Sequence, residues 1–345
     1  MTVTPTATPV PPTATPRPSP SPTIRPSATA VATPYVNIPV DTRVSITSGV
    51  YSNVGIWNHY IVYDEAVSDD NVNVHLYNID SKQDHVIAQG NVHSYGTIGN
   101  GKVALLYPDT NLIKLYDIAT GKAAQVSVNS NAPRGSMVIA GNYLLYSEDD
   151  GMMDPVSKSW SSVYCVYLFN MNDDTTSSVA SNIGKPIDIR MDGNYVVWTT
   201  VDGEGSDISL YNLQGKPLKV VTIASGGSSN NHARISGNNI VYHSDKDGSH
   251  HIYIYNIATA QTSEMTTDSK QMSADISGNT VVFDDYRDGN WNIYTYDLTT
   301  HLSHYFTYES HDQLSPVISG SHVAYLDYRN SGSSGECDVY TMDLS

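Results

Sequence analysis

The sequence predicts an all-β fold, a seven-bladed β-propeller of four-stranded blades. Three observations predict it. A tight turn followed by an apolar triplet recurs seven times. A second strand-like anchor follows each one. The chain begins on one kind of strand and ends on the kind that would pair with it. Four short strands per repeat, separated by Gly, Asn and Asp turns, are the mark of propeller blades.

The turn-plus-triplet anchors are WNHYIVY from Trp57, GNGKVALLY from Gly99, GNYLLY from Gly141, GNYVVW from Gly193, GNNIVY from Gly237, GNTVVF from Gly278 and GSHVAY from Gly320. They recur about every 42 residues, with one longer interval where SEDDGMMDPVSKSWSS extends the third repeat. The second anchors run from VHLYNI at Val74 to VYTMDL at Val339. A weaker strand comes next, such as HVIA, EMTT or HYFT, and a fourth, such as ARIS, ADIS or PVIS, precedes each turn. No segment carries a 3.6-residue apolar period over three turns, so no helix is expected.

The four strands are designated A (before the turn), B (the triplet), C (the second anchor) and D. TRVSIT, Thr42 to Thr47, reads as a D strand, whereas the chain ends on a C strand. The first strand can therefore complete the last blade, which ties the ring and removes two open edges.

Residues 1–40 differ in kind. They are rich in Thr, Pro, Ser and Ala, and cannot bury enough apolar surface to offset their ordering entropy. Dense proline favours extended polyproline II, so the segment reads as a semi-rigid stalk or linker ahead of a propeller at 41–345. Such Thr/Ser-Pro tracts are typical of glycosylated stalks on exported proteins.

The formal net charge is −17. Residues 1–40 contain Arg17, Arg25 and no acid, so the acidic excess lies wholly in the repeats. That surface repels phosphate backbones and argues against nucleic-acid binding. Two cysteines, Cys165 and Cys337, form neither a disulfide framework nor a zinc cluster. No apolar run reaches membrane-span length. Met1 leads into TVTPTATPV without a charged or apolar leader, which leaves a cytoplasmic protein or one whose targeting segment lies upstream or has been removed.

The last repeats read ISGNTVVFDDYRDGNWNIYTYDLTT (Ile276 to Thr300) and VISGSHVAYLDYRNSGSSGECDVYTMDL (Val317 to Leu344). They resemble the TolB-type propeller repeat, a WD40-like unit of bacterial and archaeal exported proteins. The shared pattern is ISG, an apolar strand, Asp-x-Arg, Gly-Asn and Ile-Tyr-x-Tyr-Asp-Leu. Asp285/Arg287 and Asp327/Arg329 carry the Asp-x-Arg pair, while the fifth repeat has Ser244 and Lys246 there. The resemblance implies a propeller on an exported or surface protein, extracellular or periplasmic. It implies no reaction, because propellers host many functions.

Candidate sites fall on the face where B–C and D–A loops meet. The B–C loops are acidic. Asp284, Asp285 and Asp288 in DDYRDGNWN, with Asp245 and Asp247 in DKDG, are oxygen donors of the kind Ca²⁺ takes. None of these loops is an EF-hand, and Asp, Asn and Gly also serve simply to reverse chains. The Asp-x-Arg pairs suit a carboxylate–guanidinium brace. His93, His232 and His311 fall in D–A connections near the central opening, where histidines could hold a metal for lyase chemistry, as in seven-bladed pectin-fragment lyases. Trp160 and Trp291, in B–C loops, are placed to offer rings to a ligand beside Arg287 and Arg329. There is no GxSxG elbow, no phosphate loop and no sialidase Asp-box.

The sequence thus favours a non-enzymatic exported or cell-surface propeller that binds a protein or glycan at its acidic face, or serves as a structural module, with no required cofactor. Ca²⁺ is the cation its loops would suit. The alternative is a metal-dependent polysaccharide lyase or hydrolase acting at the central opening. A third expectation is self-assembly through the tail.

Overall fold

The computed structural model describes residues 41–126, 132–153, 160–202, 205–215, 220–226, 229–246, 248–265, 270–331 and 336–344. The stalk 1–40 and Asp247 lie outside them, as does the side chain of Trp160. Seven four-stranded antiparallel sheets are each ordered A-B-C-D. Blade 1 is Val50–Trp57, Tyr60–Ser68, Asn71–Asn78 and Gln83–Gly90. Blade 7 consists of Gln313–Ser319, His322–Asp327, Asp338–Asp343 and, as its D strand, Thr42–Arg43. Thr42 pairs with Thr341 and Arg43 with Tyr340. The Val44 and Ser45 amides then donate to the Val339 carbonyl at 2.7 and 3.3 Å. The ring is therefore closed as the sequence predicts, by a strand shorter than TRVSIT. The long third B–C loop carries a small hairpin pairing Met152–Met153 with Trp160–Ser161.

The Gly-Asn motif forms a two-residue A–B turn, with Ser277 opposite Thr280 across Gly278-Asn279. Gly278 has φ +59°, the left-handed value needed at the first position of such a turn. In blades 1 and 2 that place is taken by Asn58 (φ +49°) and Asn100 (φ +46°), because Asn tolerates this region. The blade 2 turn is accordingly Asn100-Gly101, one residue later than the motif spacing suggests.

The Ser of the ISG motif has a role the sequence does not show. Ser236 Oγ accepts from the Gly278 amide and Ser277 Oγ from the Gly320 amide, both at 3.0 Å. Ser319 Oγ accepts from the Asn58 amide at 3.0 Å, across the closing seam. Asp192 does the same for Gly237 at 2.6 Å. The A strands of blades 4 to 7 thus each fasten the turn of the next blade.

The B-strand triplets are apolar throughout rather than alternating because blades stack on both faces. Val281, Val282 and Phe283 are all fully buried. Core clusters cross blade boundaries: Val241 and Ile252 of blade 5 pack with Ala274, Val281 and Phe283 of blade 6. At the closing seam Val44, Ala324 and Val339 pack with Ile61 and Tyr63. Where the inner strand of blade 1 meets the connection into blade 2, a Cβ on Gly55 would sit 2.0 Å from the Gly96 carbonyl oxygen, so only glycine fits. Cys165 and Cys337 are buried free thiols in separate blades. Among the described residues, no helix is long and apolar enough to cross a membrane.

Candidate functional site: the channel and its rim

The inner strands line a central cavity of about 650 Å³. A single device shapes its wall. In blades 1, 3, 4, 5, 6 and 7 the A–B pairing slips by one residue, at Ser52/Gly55, Arg134/Met137, Ile187/Arg190, Asn231/Arg234, Met272/Asp275 and Leu314/Val317. Each slip is a β-bulge that re-aims side chains. In five of them the bulged residue is polar, not glycine, and has positive φ: Asn53, Asp188, His232, Ser273 and Ser315, from +45° to +56°. All five line the cavity. Left-handed non-glycine residues cost about 1–3 kcal/mol each and cluster at functional sites. This ring makes the channel the candidate site.

Blades 4 to 6 charge that wall. Arg234 Nη1 donates to Asp188 Oδ2 at 2.6 Å, and Arg190 Nη2 lies 3.0 Å from Asp188 Oδ1. Arg234 Nε is 3.9 Å from Asp275. Burial would raise the Asp188 carboxyl, but Arg190, Arg234 and His232 outweigh it and hold it well below the usual range. Burial raises Asp275, against the pull of Arg234. Lys185 and Arg134 add positive charge to the lining, and Glu148 and Asp149 add negative charge. Arg134 is fully buried against Glu148 at 2.9 Å.

Histidines converge beside this wall in blade 5. The rings of His232 and His243 are 5.4 Å apart and those of His243 and His250 5.9 Å apart. Burial, with His232 and His250 nearby, pushes His243 down to about 4. Burial and Arg234 lower His232. The buried Nδ1 atoms of His243 and His250 make no hydrogen bond.

Of the sequence candidates, His232 alone among the three histidines reaches this wall. His93 sits in the connection into blade 2, 3.7 Å from Asp64. His311 is exposed at the lip of blade 7, where its Nδ1 is 3.3 Å from the Ser310 hydroxyl. Among the described residues no three His, Cys, Asp or Glu side chains are grouped to hold a metal.

The acids of blade 6 point three ways. Asp284 is buried and accepts from the Ser315 amide at 3.1 Å, joining blade 6 to the bulge of blade 7. Burial raises its carboxyl to about 6. Asp285 accepts from Gln271 Nε2 at 2.9 Å and Arg287 Nη2 at 2.6 Å. Asp288 accepts from the hydroxyls of Tyr294 at 2.7 Å and Tyr305 at 3.2 Å. Asp245 accepts from the Ser229 amide at 2.6 Å.

The Asp-x-Arg pairs form the brace their chemistry suits. Arg287 stacks 4.2 Å over Tyr294 while bonded to Asp285. Arg329 stacks 4.2 Å over Tyr340, with Nε 3.0 Å and Nη2 2.8 Å from Asp327. Lys246, in the equivalent place, lies 3.9 Å over Tyr253. Trp291 is half-buried against Tyr286, with ring centres 5.2 Å apart. Asp188, Arg190, Arg234, Asp275 and His243 were not legible as a site, since no local motif joins them. The one available signal was a polar Asn, Asp, His or Ser at a matching point of the inner strands.

A seven-bladed propeller with a polar central channel is thus the class that fold and site define. No family model matches the chain, and no curated protein matches it in sequence. Solved structures do match in fold. Oligogalacturonate lyase in complex with manganese superposes with TM-score 0.64 at 15% identity, over 88% of this chain and 93% of that one. The β-propeller domain of the trilobed protease from Pyrococcus furiosus, described by an open velcro topology, gives 0.65 at 12%, over 87% and 97%. Acylaminoacyl peptidase from Pyrococcus horikoshii gives 0.65 at 13%, over 87% of this chain but 52% of that one. The chain spans about half the length of such peptidases. At these identities the likeness is one of fold.

Proposed function

We propose that this chain is a non-enzymatic, exported or cell-surface propeller of TolB type that binds a carboxylate-bearing glycan or protein at the mouth of its channel. The ring of left-handed polar residues, with Arg190 and Arg234 on the same wall, carries this reading. Its charge is confined. An acidic molecule with guanidinium groups concentrated in a concave site repels anions generally but can hold one that fits. The ISG and Asp-x-Arg motifs and the Thr/Pro-rich residues 1–40 support export. A glycan array and a pull-down with the full chain test binding. Arg190→Gln is expected to weaken capture at least tenfold, and capture unchanged by that substitution would defeat the channel reading. The reading frame upstream of Met1 tests export through a leader or anchor.

A second reading is a metal-dependent polysaccharide lyase or hydrolase. The buried Nδ1 atoms of His243 and His250, which make no hydrogen bond, favour it, although no three such side chains among the described residues are grouped to hold a metal. So does the fold likeness to a lyase whose structure holds manganese. Metal analysis of the purified protein, thermal shifts with Ca²⁺, Mn²⁺ and EDTA, and an oligogalacturonate turnover assay test it. No metal, no shift and no turnover would remove it.

A further inference from the structure

We propose that the two aromatic loops at the blade 6–blade 7 boundary form a docking platform for the chain's own Pro-rich N-terminal segment, residues 1–40. Three observations meet there.

The platform is exposed and built. Tyr286 in the blade 6 B–C loop and Tyr308 in the following D–A loop are 43% and 67% exposed. Trp291 backs Tyr286 at 5.2 Å, and Tyr305 meets Tyr308 edge-on at 5.3 Å. Asn290 Nδ2 sews the two loops together through the carbonyls of Glu309 and His311, both at 2.9 Å. The Trp291 amide adds a bond to Asp312 at 2.9 Å. Aromatic rings held on a fixed frame lose little entropy on binding.

The chain leaves the propeller at the same boundary. Asp41 is the first described residue. Its carboxylate is held by Arg329 and accepts from the Tyr325 hydroxyl at 3.3 Å. The Tyr325 ring meets that of Phe306, two residues before Tyr308, at 6.5 Å. Segment 1–40 therefore starts beside the platform. Docking of the segment is then intramolecular, at an effective concentration set by the length and stiffness of the intervening residues.

The chemistry is complementary. PVPP at Pro9 to Pro12 is a Pro-x-x-Pro unit, and polyproline II segments dock on aromatic-lined grooves at small ordering cost. The segment carries Arg17, Arg25 and no acid, while the platform exposes Asp288 and Glu309. At about 3.1 Å per residue, the roughly 30 residues between Pro12 and Asp41 span far more than the gap needs.

The test uses the full chain. Both native cysteines are buried and free, so Ser19→Cys can be labelled selectively with a fluorophore. A docked segment is expected to show high dye anisotropy, independent of protein concentration. Excess unlabelled 1–40 peptide should lower it. In Tyr308→Ser, and more so in Tyr286→Ala/Tyr308→Ser, the anisotropy before any peptide is added should fall toward that of the labelled free 1–40 peptide. Circular dichroism checks that the variants stay folded. Arg17→Glu/Arg25→Glu should loosen the segment in the intact platform. Anisotropy that ignores both the platform variants and the peptide overturns the proposal. Anisotropy that rises with protein concentration also overturns it, since the occupant would then be a second copy. Displacement by a neutral glycan but not by the peptide would make the platform a sugar site instead.

Discussion

The chain pairs aspartate with arginine in two settings, and they do different things. At the rim, Asp285/Arg287 and Asp327/Arg329 are two residues apart in one loop. The carboxylates are fully buried, further donors satisfy them, and each guanidinium lies flat on a tyrosine. In the channel, Asp188 meets Arg234 from the next blade, and Arg190 shares the same carboxylate. These groups keep partial access to the cavity. The rim pair is a finished brace, repeated as a motif because the loop is repeated. The channel cluster occurs once and retains guanidinium surface that a ligand can reach.

The largest expected contrast is in stability. Arg234→Met removes the guanidinium that Asp188 and Asp275 share, and breaking such a pair should cost about 3 kcal/mol. Urea denaturation of the variant measures this. A cost equal to that of Arg287→Ala would erase the distinction between wall and brace.

Acid should separate the regions next. His243 is lowered to about 4 from an ordinary 6.5, so between those values the unfolded chain binds a proton that the native one refuses. Its contribution is present above pH 6.5 and is lost as pH falls toward 4, on the order of 3 kcal/mol. Asp284, raised to about 6, has the opposite sign: the unfolded chain ionises first, so this group costs stability as pH rises from about 4 to 6. His243→Gln should flatten the acid loss, and Asp284→Asn should steepen it. Thermal midpoints from pH 4 to 7 would expose a reversed sign in either variant.

Smaller effects sharpen the account of the brace. Arg287→Ala should cost about 1–2 kcal/mol, since Asp285 keeps its other donors. Arg287→Lys should cost roughly half as much, because Lys246 already covers Tyr253 from the equivalent place. If lysine is no better than alanine in chemical denaturation, the stacked cation contributes nothing. Smallest of all, Asp288→Asn at the exposed loop tip should stay within about 0.5 kcal/mol, and a larger shift in the same assay would give Asp288 a structural role beyond two tyrosine hydroxyls.

Fold and site were not equally legible. The Gly-Asn turns and apolar triplets announce strands locally, and their period makes blades. The Asp-x-Arg brace could be read because both partners lie in one loop. The function of Ser277 could not, since its partner is the amide of Gly320 in the next blade. Nor could the metal reading of Asp284, Asp285 and Asp288 be weighed from spacing, because successive strand residues and a loop tip send these carboxylates in different directions.

The sequence by itself determined the all-β class, seven repeats and a ring closed by its first strand, because turn chemistry and two-sided burial are properties of neighbouring residues. Only the tertiary structure decided which residues share the channel. Asp188, Arg234 and Asp275 stand on three blades, more than forty residues apart, and meet because an equivalent bulge in each inner strand turns them to the same space. Ring closure sets that geometry, and no local pattern encodes it.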